Sequence, residues 1–220
     1  MSIEVFTYKH YTMGKIIRLT ESDLTRIVRR VINENKRENI FSSEQTSSSN
    51  NPTFTFKPVG SEGQYQVMEN KPLPREFYGY LRTLGPDSYQ VMSHFTNRTY
   101  IEASGEFNRI HFREGVHPQL QGIGLGYVIY QDFIKFLGYA STSDSATNES
   151  KRVWSKMMSD PDFYGVVCEG HNVMVISKNW SGDVVGMVKS FIAKNGQNKV
   201  LSLNGDLLND YPDLNSYITN

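Results

Sequence analysis

Cysteine is almost missing: Cys168 is the only one in 220 residues. That excludes an internal disulfide and any cysteine-rich metal site, and suits a reducing compartment. No charge of one sign is in excess, since Lys+Arg and Asp+Glu both number 23. A large uniform field for nucleic acid or an anionic membrane is therefore absent. No apolar run is long enough to span a bilayer, and the N-terminus has no signal-peptide core, so neither membrane insertion nor secretion is expected. The five histidines are scattered without an i,i+4 pair, which removes the simplest metal-binding helix. Ser141 and Ser143 have no adjacent His, so nucleophilic catalysis has no obvious seat.

What is present centres on Val116-His117-Pro118-Gln119-Leu120-Gln121-Gly122-Ile123-Gly124-Leu125-Gly126. A strand end leads through a turn proline into a glycine-rich loop. Leu125, Val128, Ile129, Phe133, Phe136 and Leu137 follow at steps of three and four, so the spacing predicts a helix that Gly138 closes. The first turn of a helix offers unpartnered N–H groups at a positive dipole end, and glycines let a ligand approach the backbone. Strand, loop and helix together suit a phosphate or pyrophosphate. The segment lacks the Gly-Lys-Ser/Thr ending of a nucleoside-triphosphate loop, and its glycines do not space as G-x-G-x-x-G. The plainer reading is a glycine-rich turn before a core helix.

Three regions follow from composition. Residues 1–34 hold an amphipathic helix, about Glu21 to Asn35. Thr20 stands at its cap, Leu24, Ile27, Val28, Val31 and Ile32 form one stripe, and Arg26, Arg29 and Arg30 lie off it. Met13 offers a second possible start. Residues 35–52 are rich in Ser and Asn with almost no apolar residue, and are expected to be a disordered linker. Residues 53–220 have globular composition. Strands are expected at Thr53–Lys57, Gln64–Met68, Thr99–Ala103, Asn108–Arg113, Tyr139–Thr142, Tyr164–Cys168 and Val173–Ile176. Short helices are expected from Arg75 and from Glu149 to Met158. Ser88–Phe95 is ambiguous, Val184–Ala193 reads as strand or helix, and the tail from Asn204 is weakly patterned. The order implies a mixed α/β domain.

Gln121-x-x-Gly124-x-Gly126, with Val116-x-Pro118 ahead of it, resembles the coenzyme A pyrophosphate loop of the GNAT family of N-acetyltransferases. The resemblance covers about residues 107–176, and 53–105 is compatible with it. It implies a GNAT-like, mainly antiparallel sheet flanked by helices, with acetyl-coenzyme A as acyl donor and an unidentified amine as acceptor. Gln121, Gly122, Ile123, Gly124, Leu125 and Gly126 would hold the pyrophosphate. Val116 would hold the pantetheine arm, and Asn148, where the following helix opens, would also bind the cofactor. Trp154 stands where the family carries a Tyr used as general acid, and an indole N–H is no proton source near neutral pH. Glu114 is the first candidate for a general base, with His111 and His117 as alternatives. For each of these three, an ordinary loop or strand residue is the plainer reading.

Ile16-Ile-Arg-Leu-Thr-Glu-Ser-Asp-Leu through Ile32-Asn33-Glu34 resembles leader sequences of tailed-bacteriophage proteins, some of which are cleaved after a Leu/Ile-x-Glu ending. This implies a protein of the host cytoplasm or the virion, with a possible prohead or capsid partner for the helix. It also opens an alternative to catalysis: a virion or prohead-associated structural protein with an inactive GNAT-like domain. A third, weaker reading has the arginine face touching nucleic acid through a few phosphates.

Overall fold

The computed structural model describes residues 52–112, 116–142, 146–168, 172–195 and 200–217. The expected leader helix, its cleavage motif and all but the last residue of the expected linker lie outside the described residues.

The described chain runs β1 (Phe54–Pro58), β2 (Gln64–Glu69), α1 (Arg75–Thr83), α2 (Ser88–Arg98), β3 (Tyr100–Ser104), β4 (Arg109–Phe112), α3 (Leu125–Leu137), β5 (Tyr139–Ser141), α4 (Asn148–Met158), β6 (Phe163–Cys168), β7 (Val173–Ser177), α5 (Val184–Asn195), β8 (Val200–Leu203) and α6 (Gly205–Asp210). A 3₁₀ turn at Pro118–Leu120 precedes α3, and another at Pro212–Tyr217 follows α6. The strands form one mixed sheet in the order β1-β2-β3-β4-β5-β7-β6-β8. Every pairing is antiparallel except β4 with β5.

The expected strands and the central helix stand where the sequence puts them. Ser88–Phe95 resolves into the longer helix α2 and Val184–Ala193 into α5. The strand reading of the latter fails because Val184, Val188 and Phe191, spaced for one helical face, are the residues buried. Strand β8, which the sequence did not announce, pairs with β6. The weakly patterned tail folds by burying Leu207 and Leu214.

Alternation along the strands sends side chains to two cores. One face carries Phe56, Val67, Ile101, Ile110, Ala140, Phe163 and Val175, packed with α3 and α4 through Phe133, Trp154 and Met157. The other face, in the β5–β8 half, carries Tyr164, Val166, Met174 and Ile176 against Val184, Val188 and Phe191 of α5. Helix α3 is buried nearly all round. Its Asp132 is 7% exposed and accepts a bond from Phe54 N–H at 2.9 Å, so the helix also holds the start of β1. Burial pushes the Asp132 carboxyl up to about 6, although the Phe54 N–H, Lys135 and the Thr53 N–H oppose the rise.

Candidate functional site

The site begins where β4 and β5 meet. The two strands share one parallel pair, Arg109 with Ser141. Beyond it Ile110 and Phe112 pair with β3, and Thr142 N–H bonds to Val173 O at 2.8 Å on β7. No further β4–β5 pair exists among the described residues. Helices α3 and α4 each follow a strand of this pair, so both N-termini come to the same end of the sheet, on the face that carries Phe112.

The loop from β4 to α3 is held from several sides. Leu120, Ile123 and Leu125 are fully buried and anchor it to the core. His117 accepts from Gln119 N–H at its Nδ1, 3.3 Å away, while Leu120 N–H bonds to His117 O at 2.7 Å. Tyr80 of α1 donates its hydroxyl to Gln119 O at 2.6 Å. The ring of His94, on α2, lies 5.4 Å from that of His117. Gly122 and Gly124 take φ of 78° and 86°, which glycine alone adopts readily. Gly124 is the N-cap of α3, with no side-chain cap bond, and no acidic residue stands in the first turn. A Cβ at Gly126 would meet nothing within 4 Å. Open space thus lies beside Gly126 in the first turn of α3, at the positive end of the helix.

The residues singled out from sequence separate into groups. Gly122, Gly124 and Gly126 shape the open loop. Ile123 and Leu125 can offer a ligand only their backbone, because their side chains are buried. Gln121 Nε2 donates to Val116 O at 2.9 Å, so this pair braces the loop. That bond uses one of the two lone pairs of the Val116 carbonyl. Asn148 is the first residue of α4, and Thr147 is its cap, accepting from Ser150 N–H at 3.2 Å. His111 pairs with Glu102 and faces the side of the sheet opposite Ile110 and Phe112, away from α3. Alternation alone puts it there. Glu114 lies outside the described residues.

Trp154 is 1% exposed, and its Nε1 has no hydrogen-bond partner among the described residues. An unpaired buried donor costs about 1–3 kcal/mol. Its ring meets Tyr130 of α3 edge-on at 5.8 Å, and Tyr130 meets Phe112 at 5.0 Å. A file of rings thus crosses from the end of β4 through α3 to α4. Burial pushes the Tyr130 hydroxyl above its ordinary range, and the Ser150 side chain, one turn ahead of Trp154, opposes the rise. Sequence reasoning did not single out Tyr130, because it lies among the buried residues of a core helix.

Comparison with known protein families, characterised proteins and solved structures finds no match.

Proposed function

We propose that this chain is an acetyl-coenzyme A-dependent N-acetyltransferase-like protein that passes an acetyl group directly to an amine. One observation carries the reading. A glycine-capped helix with no acid in its first turn rises from a loop placed where β4 and β5 run parallel for a single pair. Backbone N–H groups from Gly124 to Gly126 would hold the pyrophosphate, with Gln121 and Val116 bracing the loop. The Nε1–H of Trp154, at the position where the resemblance implies a Tyr, adds a buried donor without a partner among the described residues. The chain's own part is to orient thioester and amine, which supplies much of the rate in a direct transfer. His117 lies in the loop itself, and it and Glu114 are the candidates to take the amine proton.

Calorimetric titration of the full chain with acetyl-coenzyme A tests this. Micromolar binding is expected, with affinity at least tenfold weaker in Gly126→Glu, whose carboxylate would repel the pyrophosphate. A folded wild-type chain that binds nothing would end the proposal.

The second reading is a virion or prohead-associated structural protein, favoured by Trp154 at the position where the resemblance implies a Tyr. It draws on the leader motif in residues 16–34. Intact mass of the protein from purified particles decides it: a chain beginning at Asn35 supports packaging and processing, and absence from particles argues against both. Among the described residues no helix is long and apolar enough to cross a membrane.

A further inference from the structure

Helix α1 sends Phe77 and Leu81 into the core. Arg75, Tyr78, Gly79 and Arg82 stand at three- and four-residue steps, so they share another face. With Leu81 beneath, and Ser88 from the start of α2 beside them, they line a cavity of about 380 Å³. We infer that this cavity binds a small molecule carrying a phosphate monoester and a flat ring. The two guanidinium groups grip the phosphate, and the Tyr78 ring meets the flat part.

Neither guanidinium has a hydrogen bond or ion pair among the described residues, and no acid among them lines the cavity. Arg75 and Arg82 are two turns apart, about 10 Å along the axis. Each fork ends a flexible stem, so both can reach an anion set between them. Between them lies Gly79, where an added Cβ would meet nothing within 4 Å, so the floor is open. Ser88 is 4% exposed, and its hydroxyl has no hydrogen-bond partner among the described residues. It supplies a third donor group at the cavity wall. Tyr78 is 37% exposed, and its ring stands edge-on to Phe77 at 6.4 Å, which holds it in place.

The donor set favours phosphate over carboxylate. One guanidinium fork and one carboxylate satisfy each other, two N–H groups to two oxygens. Two forks and a hydroxyl exceed that need and suit the three oxygens of a terminal phosphate. The volume is that of a site for a small organic ligand. The site is also separate from the glycine loop. Tyr80, whose hydroxyl holds Gln119 of that loop, lies about 160° around α1 from Tyr78. The cavity therefore stands independently of acetyl-coenzyme A.

The test titrates the full chain with phenyl phosphate by calorimetry, with inorganic phosphate and benzoate as the comparison probes. We expect a dissociation constant at or below about 1 mM for phenyl phosphate, the range of a small efficient ligand. Inorganic phosphate lacks the ring and benzoate the third oxygen, so both should bind more weakly. Arg75→Gln and Arg82→Gln should each weaken phenyl phosphate at least about tenfold, the loss of one charge-assisted fork. Gly79→Leu fills the cavity where leucine suits a helix better than glycine. It should unfold at no lower temperature than the parent and yet bind at least about tenfold more weakly. Gly126→Glu, in the glycine loop, should bind phenyl phosphate as the parent does. No binding by the parent, unchanged affinity in both arginine variants, or unchanged affinity in Gly79→Leu overturns the site. A loss in Gly126→Glu equal to that in the arginine variants puts the phosphate at the loop and overturns it too. Benzoate binding as tightly as phenyl phosphate overturns the choice of phosphate, and inorganic phosphate binding as tightly overturns the role of Tyr78.

Discussion

Helix α3 has a left-handed glycine at each end, and the two ends are built for opposite purposes. Gly124 opens the helix at φ 86° and Gly138 closes it at φ 91°. At the closing end Gly138 N–H bonds to Ile134 O at 2.7 Å, and Ser177 N–H bonds to Gly138 O at 2.8 Å. A Cβ on Gly138 would sit 2.2 Å from Cδ1 of Trp180. That end is sealed by backbone and ring. At the opening end the cap has no side-chain bond, the first turn has no acid, and the space over Gly126 is empty. The same residue type with the same backbone sign is structural at one end and leaves room for a ligand at the other. Contacts and not conformation make the difference.

The largest way to break the closed end is Gly138→Ala. The positive φ costs about 1–2 kcal/mol for any L-residue. Overlap with the indole adds about 1–3 kcal/mol. We expect a loss of about 4 kcal/mol in chemical denaturation. In a Trp180→Ala background the same substitution should cost only the backbone share, about 1–2 kcal/mol. Equal costs in both backgrounds would show that the ring does not seal this end.

Between the ends, Asp132 offers the next largest effect. Its folded value of about 6 lies above the ordinary 3.8, so the folded state holds the extra proton between those pH values. Stability from this group is full below pH 4 and is lost as pH rises through 6. The difference is about 3 kcal/mol, by 1.36 kcal/mol per pH unit. Other carboxylates act in the opposite sense, so the comparison is with Asp132→Asn at each pH. The variant's stability relative to the parent should rise by about 3 kcal/mol between pH 4 and pH 7. A constant difference would mean that the carboxyl is not strained by burial.

The sequence announced the opening end better than the surroundings that give it meaning. Apolar spacing from Leu125 and the glycines ahead of it made the loop and helix legible, because both signals are local. Helix α5 was left as strand or helix, since Val184, Val185 and Val188 are β-branched and favour strands. The helix signal was there: Asp183 accepts from Gly186 N–H at 2.8 Å, the capping bond of a helix start. Strand β8 depends on the partner β6 and has no local mark of its own. The Tyr130–Trp154 contact joins residues on separate helices, and no spacing rule could have paired them. Asp132 was visible as a carboxylate inside an apolar helix, but its target, the Phe54 N–H, lies 78 residues away.

The smallest effects sharpen the comparison most, because they separate folding from binding within one loop. Gly124→Ala forces an L-residue to positive φ and should cost about 1–2 kcal/mol. A loss of ligand affinity in that variant is therefore ambiguous. Gly126 has ordinary helical backbone and open space over its Cα. Gly126→Ala should raise stability by somewhat under about 1 kcal/mol, the propensity gain of alanine over glycine in a helix. Gly126→Glu should be at least as stable as the parent, since a carboxylate in the first turn suits the helix dipole. A pyrophosphate competes for that same positive end, so the more stable variant should be the one that binds acetyl-coenzyme A at least tenfold more weakly. Raised stability with unchanged affinity would leave α3 capped by glycine for folding alone, and would make its two ends alike.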